Sequence, residues 1–272
     1  MPEAPRVRVD IADHVAEVAL TRPEKHNALD GEMFTAILGA AEQVAATPGL
    51  RAVILYGEGP SFCSGLDVAS LASGPISLDD ILSRNGRRAN LAQRACTDWI
   101  DLEVPVIAAL HGNCFGGGLQ IALGADIRIA TPDATLSVME VRWGLVPDMG
   151  ITSTLPRLVA IDVAKELTYT GRRVDGAEAQ RLGIVTRLAD DALVGARELA
   201  RELAARSPDA VRSAKALYDR SWNAPVDDGL LLETQLQRAL IGSPNQLAAV
   251  QAGFTGEAAN FSDSSERGGR SA

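Results

Sequence analysis

Two uninterrupted apolar runs, Ala52–Tyr56 and Val106–Leu110, each break straight into a glycine-bearing loop. A strand that is apolar at every position is buried on both faces, and sheets covered on both faces are those whose strands are joined by helical crossovers. This pattern constrains the chain to the α/β class. Val7–Ile11 and Val15–Leu20 predict a hairpin about Ala12-Asp13-His14. Behind Asp30, a predicted N-cap, Met33, Ile37, Ala41 and Val44 recur at helical spacing, and Pro48-Gly49 ends that helix.

Further along, residues 77–103 are predicted as one helix capped by Ser77, with Leu78, Ile81, Leu82, Leu91, Ala95 and Trp99 on its apolar positions. Residues 66–75, in front of it, are expected to be mobile. Asp126–Ala130 and Thr135–Val138 read as strands. Asp175 caps a helix that Gly183 ends, and Ile184-Val185 reads as a brief strand. Ser207-Pro208 and Ser243-Pro244 each pair an N-cap with proline at the first helical position, so the C-terminal part is three or four helices with a frayed tail from Ser262. The expected organisation is a body over residues 1–200 carrying the chemistry and a helical region over residues 201–272.

The ligand class is narrowed by composition. With 46% hydrophobic and 22% charged residues over 272 positions, the chain can bury a sizeable core. Net charge is -9 and no run of five basic residues occurs, which argues against a nucleic-acid footprint. An anionic ligand must then be met by a few local cations and by backbone N–H groups. Cys63, Cys96 and Cys114 are widely spaced and lack any CxxC pattern, so neither a metal site nor a disulfide framework is expected, only buried free thiols. The N-terminal segment has no apolar core of signal-peptide length and no membrane-spanning run occurs, so a soluble, cytoplasmic protein is expected.

Chemistry is expected in the two loops. The first is Ser61-Phe62-Cys63-Ser64-Gly65-Leu66-Asp67; the second is His111-Gly112-Asn113-Cys114-Phe115-Gly116-Gly117-Gly118-Leu119-Gln120, running into a short apolar helix. Backbone N–H groups presented by two such loops to one oxygen make an oxyanion hole. A nucleotide reading is disfavoured, because the triple glycine lacks both a Gly-Lys-Ser/Thr ending and the GxGxxG spacing.

Arg22-Pro23 with Asn27-Ala28-Leu29, then SFCSGLD, then HGNCFGGGLQIALGADIRIA, then Met139-Glu140 with Gly144 and Pro147, follow one another as in the crotonase superfamily, which this chain resembles over nearly its whole length. The resemblance implies a superhelix of ββα units with a C-terminal helical region that assembles homotrimers, often paired into hexamers. It implies an acyl-CoA thioester as substrate, with no cofactor beyond the coenzyme A that the substrate carries. The N–H groups of Leu66 and Gly117 match the two oxyanion donors, with Ala28, Ser64, Gly65 and Gly116 around them and Asp67 bracing its loop. Arg22 and Lys25 are the candidate cations for the coenzyme A end, although basic residues beside a turn are equally read as merely solvated. Phe254 and Phe261 are the candidate aromatics closing that site, but residues 255–260 between them lack the family's usual basic residues.

For the reaction, the resemblance matches Glu140 to a proton-transferring glutamate. The family's hydratases carry a second glutamate where this chain has Gln120, an amide that cannot exchange a proton at neutral pH. A lone glutamate at position 140 resembles the Δ3-Δ2 enoyl-CoA isomerases, and Asp148 resembles the aspartate of the dienoyl-CoA isomerase branch. Double-bond shift and hydration both stay open at this point. So do a non-catalytic CoA-ester-binding homologue and hydrolysis or decarboxylation in the same hole.

Overall fold

The computed structural model describes residues 5–69 and 78–263. Strands β1 (Val7–Ala12) and β2 (Val15–Leu20) pair antiparallel. Asp13 and His14 between them both take positive φ, 50° and 66°, as in a type I′ turn whose twist suits a hairpin. Helix α1 (Gly31–Ala45) starts where the Asp30 carboxylate accepts the Met33 N–H at 2.7 Å. Strand β3 (Ala52–Gly57) then lies parallel to β2, with Val15 beside Ala52.

The single helix expected over residues 77–103 is instead two, α2 (Leu78–Leu82) and α3 (Leu91–Ile100). Asn85 and Gly86 take positive φ and turn the chain. Asn90 then restarts it with a capping box, exchanging hydrogen bonds with Gln93. Ser77, the cap expected from the sequence, lies outside the described residues, as do residues 70–75 of the segment expected to be mobile and residues 264–272 of the tail.

Strands β4 (Val106–Leu110), β6 (Ile127–Ala130) and β9 (Arg187–Leu188) extend the first sheet in parallel, in the order β1-β2-β3-β4-β6-β9. A second sheet holds β5 (Asn113–Phe115), β7 (Thr135–Ser137) and β8 (Val174–Asp175), in the order β5-β7-β8. The chain alternates between them: β4, β5 and helix α4 (Gly117–Leu123) form one turn, and β6 and β7 begin the next. This is the ββα spiral. The brief strand expected at Ile184-Val185 falls later, because both N–H groups of that pair bond back to Ala179 O and only Arg187–Leu188 reach β6.

Helices α5 (Ile151–Thr154), α6 (Ile161–Thr170) and α7 (Gly176–Leu182) follow β7, and α8 (Ala192–Ala204) covers one face of the first sheet. Ala52, Ile54 and Tyr56 of β3 cluster with Ala192, Ala196 and Leu199 of α8, whereas Val53 and Leu55 join Phe34, Ile37 and Leu119 in the main core. Both faces of β3 are therefore dry, which is why its sequence shows no polar alternation.

Three helices close the chain: α9 (Pro208–Ser221), α10 (Val226–Leu240) and α11 (Pro244–Thr255). Ser207 and Ser243 cap the first and last. Lys215 of α9, 9% exposed, pairs with Asp126 at 2.6 Å and anchors the group to the sheet. No residue of α10 is buried, and Trp222, Val226, Leu230, Leu231, Leu247 and Phe254 stand exposed. No helix among the described residues is long and apolar enough to cross a membrane.

Candidate active site

The two loops leave the C-terminal ends of β3 and β4 and pair with each other. Phe62 N–H donates to His111 O, Cys63 N–H to Asn113 O and Phe115 N–H to Cys63 O, at 2.9, 3.0 and 3.0 Å. Asn27, fully buried, knots the preceding segment to the first loop: its side-chain oxygen accepts the Arg22 N–H and its NH2 donates to Ser61 O and Glu58 O.

Leu66 forms a parallel bridge with Leu29. Leu29 N–H donates to Gly65 O at 2.8 Å and Asp67 N–H donates to Leu29 O at 2.9 Å. The residue between two such bonds turns its own N–H the other way, so that of Leu66 points away from Leu29. Gly65 takes φ +89°, and a Cβ there would fall 2.8 Å from Phe115 O and 3.7 Å from the Gly117 nitrogen. Glycine is what lets the loops meet so closely. Gly117 opens α4, where first-turn N–H groups have no helical acceptor. Among the described residues, neither the Leu66 nor the Gly117 N–H has a protein acceptor.

The glycine triplet itself answers to protein neighbours. A Cβ would stand 3.3 Å from Glu140 Oε1 at Gly116, 2.8 Å from both Leu29 Cδ1 and Met149 Sδ at Gly117, and 2.6 Å from Cys63 O at Gly118. The contact at Gly116 places the Glu140 carboxyl one residue from the Gly117 N–H.

Glu140 begins a short 3-10 helix, Glu140–Trp143, at the end of β7. Its Oε1 accepts a 2.7 Å hydrogen bond from Gln120 Nε2, and its Oε2 is buried without a partner. Burial raises the Glu140 pKa above the usual glutamate value; its own main-chain N–H, the Gln120 hydrogen bond and the Met139 N–H lower it, and the charge of Asp148 raises it further. Gln120, 1% exposed and one turn into α4, is spanned at both ends: its oxygen accepts the Met149 N–H at 2.8 Å. Met149 is the residue sequence reasoning missed. It acts through its main chain, so no side-chain pattern announces it.

Asp148 sits in the loop between the 3-10 helix and α5. It is solvent-accessible as a residue, yet its carboxyl is partly shielded, and that desolvation raises its pKa. It does not cap α5, whose N-cap is Gly150.

Other sequence candidates are placed as follows. Arg22 is buried and spent on the protein, donating to Ala28 O at 3.1 Å and Asp67 Oδ2 at 2.9 Å, with Asp30 Oδ2 at 3.4 Å. It is a brace holding the two segments together, not a free cation, and Asp67 is its partner. Lys25 is exposed. Ser64 is held by its N–H to His26 O and its hydroxyl to Lys25 O. Phe261 accepts from Arg51 through its carbonyl; Arg51 precedes β3, so this contact lies at the opposite end of the sheet from the two loops. Phe254 is 88% exposed. Neither aromatic closes over the loops of its own chain. Cys63, Cys96 and Cys114 are buried free thiols; burial pushes the first two up to about 12 and Cys114 well above its usual value, leaving no thiolate to react.

A family model described as enoyl-CoA hydratase/isomerase matches residues 10–257. The carnitinyl-CoA dehydratase of Salmonella enteritidis is 36% identical over 218 residues, 79% of this chain and 80% of that relative. The peroxisomal Delta(3,5)-Delta(2,4)-dienoyl-CoA isomerase of Arabidopsis thaliana is 32% identical over 255 residues, covering 90% of this chain and 92% of that one. Among solved structures, the enoyl-CoA hydratase from Bacillus anthracis superimposes with a TM-score of 0.86 at 30% identity, covering 94% of this chain and 98% of that one. With paired loops, alternating sheets and this match along nearly its whole length, the chain belongs to the enoyl-CoA hydratase/isomerase family of the crotonase superfamily.

Proposed function

We propose that this enzyme shifts a double bond in an enoyl-CoA thioester. The N–H groups of Leu66 and Gly117 bind the thioester oxygen as negative charge develops on it, and Glu140 carries a proton from one carbon to another. The observation that carries this reading is the state of Glu140: one oxygen is held by Gln120, the other is buried and unpartnered, and no second acid occupies position 120. Water addition by the two-glutamate route lacks its second carboxylate. Coenzyme A enters as part of the substrate and no further cofactor is called for.

Asp148 supports a second reading, transfer over the longer reach of a 3,5-dienoyl-CoA, because its charge is felt at Glu140. The exposed apolar residues of α9, α10 and α11 support assembly into a homotrimer or a pair of trimers, and we assign the protein to the cytoplasm.

The test is a substrate screen with saturated, Δ2-, Δ3- and 3,5-dienoyl-CoA esters, using the natural protein and Glu140→Gln. Conversion of the Δ3 ester to the Δ2 ester is expected, with turnover lower by roughly 100-fold or more in Glu140→Gln while ester binding persists. Rapid hydration of the Δ2 ester without isomerisation would refute the reading. Binding with no turnover would mark a CoA-ester-binding homologue, and release of free coenzyme A a hydrolase.

A further inference from the structure

The Met149 N–H can only donate, so the Gln120 atom facing it must be the amide oxygen, and the NH2 must face Glu140. That settles what Glu140 presents: an oxygen bonded to an amide N–H has to be an acceptor. The carbonyl oxygen of a protonated carboxyl is the better acceptor, so the Gln120 N–H favours Oε1 in that role and the proton on Oε2, the oxygen that is buried and has no partner in the protein.

Resting on the isomerase reading above, we infer that Gln120 is a positioning residue that dedicates Oε2 of Glu140 to proton transfer and holds the carboxyl still while its protonation changes. In the first half-reaction a substrate C–H bond breaks, its electron pair moves onto the thioester oxygen as an enolate, and an O–H bond forms at Oε2. In the second half-reaction that O–H bond breaks, a C–H bond forms at another carbon, and the electron pair returns to restore the thioester carbonyl. Nothing else is consumed. Oε1 accepts from Gln120 in both states, so the proton is returned from the atom that took it without rotation of the side chain. A carboxylate at position 120 would not do this, since once ionised it has no hydrogen to offer.

The strut reaches further than Glu140. Met149, which fixes the amide, also packs its sulfur against Gly117, where a Cβ would meet it at 2.8 Å. The proton-carrying carboxyl and the N–H of Gly117 thus share one support, and a shift of the strut displaces the base relative to the bound oxygen. Displacements near 1 Å cost on the order of 100-fold in rate.

The experiment reads Glu140 both with and without turnover. In the natural protein, NMR follows the Gln120 side-chain NH2 and the carbon-13-labelled Glu140 carboxyl, assigned by its loss in Glu140→Gln; Asp148 is the other ionisable group whose charge reaches it. The NH2 signals are expected to shift as Glu140 titrates and to stay protected from exchange on both sides of the titration. In Gln120→Met the Glu140 titration is expected to move to higher pH, kcat to fall on the order of 100-fold with little change in KM, and the acidic limb of kcat/KM to move the same way. A purely structural role would lower Tm and leave the titration and the limb in place. NH2 signals indifferent to Glu140, or an unmoved titration in Gln120→Met, would overturn the inference. The natural-protein titration decides it even where Gln120→Met does not fold, and a natural protein inactive on every isomerisation substrate would overturn the isomerase reading while the NMR result still judged the strut.

Discussion

Replacing Gln120 with Glu alters one atom that matters. Nε2 lies 2.7 Å from Glu140 Oε1, so the substitution puts a carboxylate oxygen where the donor was, while the other oxygen still accepts the Met149 N–H. Two unit charges at that separation repel by about 6 kcal/mol at an effective dielectric of about 20. Halved by solvent screening at this partly exposed site, the repulsion is still about five times thermal energy. The pair therefore cannot ionise twice near neutrality; it keeps one proton, which makes one carboxyl an acid and the other a base.

An acid and a base around one water are what hydration requires. Gln120→Glu is accordingly expected to raise the ratio of hydration to isomerisation with a Δ2-enoyl-CoA, followed by loss of enoyl absorbance with the product identified by chromatography. The pair's pKa is raised above that of the unfolded chain, so the folded state binds the extra proton. Its stability is then expected to fall as pH rises from the ordinary glutamate value through the raised one, seen as a Tm that drops below the natural protein's. A natural protein that already hydrates fast, with no gain in the variant, would refute the reasoning.

Asp148→Asn removes a negative charge that raises the Glu140 pKa, so the acidic limb of kcat/KM should move to lower pH; a limb that stays or rises would contradict this. If Asp148 also serves dienoyl substrates, the same variant loses 3,5-dienoyl turnover while keeping that of the Δ3 ester. Gly117→Pro keeps a residue acceptable at a first helical position but deletes the N–H, and should cost roughly 100- to 1000-fold in kcat. Gly117→Ala, which crowds Leu29 and Met149 but keeps the N–H, is its control; equal losses in the two would remove the donor role. Arg22→Met removes the buried guanidinium that bonds Asp67 and Ala28 O, while Asp30 keeps its pair with Arg6, and should destabilise by about 1.5–3 kcal/mol, measured by denaturant unfolding; an altered KM at unchanged stability would instead return Arg22 to the substrate.

Elements set by local chemistry were legible in the sequence. Asp30, Asp175, Ser207 and Ser243 announced their helices, because a capping oxygen acts within three residues of itself. The apolar run of β3 announced a strand dry on both faces. What escaped was decided over longer distances or against a competing local signal. Asn85-Gly86 stood in plain view, but the apolar spacing on either side of it masked the turn between α2 and α3. Strand β5 is three residues long and is held only by distant segments, β7 on one side and Cys63 of the first loop on the other. Ile184 and Val185 are apolar enough for a strand, and only the claim of Ala179 O on their N–H groups excludes them.

The site divides in the same way. Leu66 and Gly117 could be named from their motifs, since the spacing of each loop after its strand is a sequence property. The direction of an N–H is not: that of Leu66 is set by Leu29, which lies far back in the chain and takes the bonds on either side of it. Arg22, a candidate for coenzyme A on charge alone, lost that freedom to Asp67, and sequence cannot say which of two ionic partners is nearer. Gln120 is the sharpest case. As a letter it marks a missing acid, and the natural inference is a free amide that meets water or substrate. In the folded chain the Met149 N–H takes its oxygen and Glu140 takes its NH2, so the amide that stands in place of a second carboxylate is the means of orienting the first. A main-chain donor with no signature of its own turns an apparent loss into a one-carboxylate site, and for that reason the chemistry of position 120 has to be tested with Met149 and Glu140 in place.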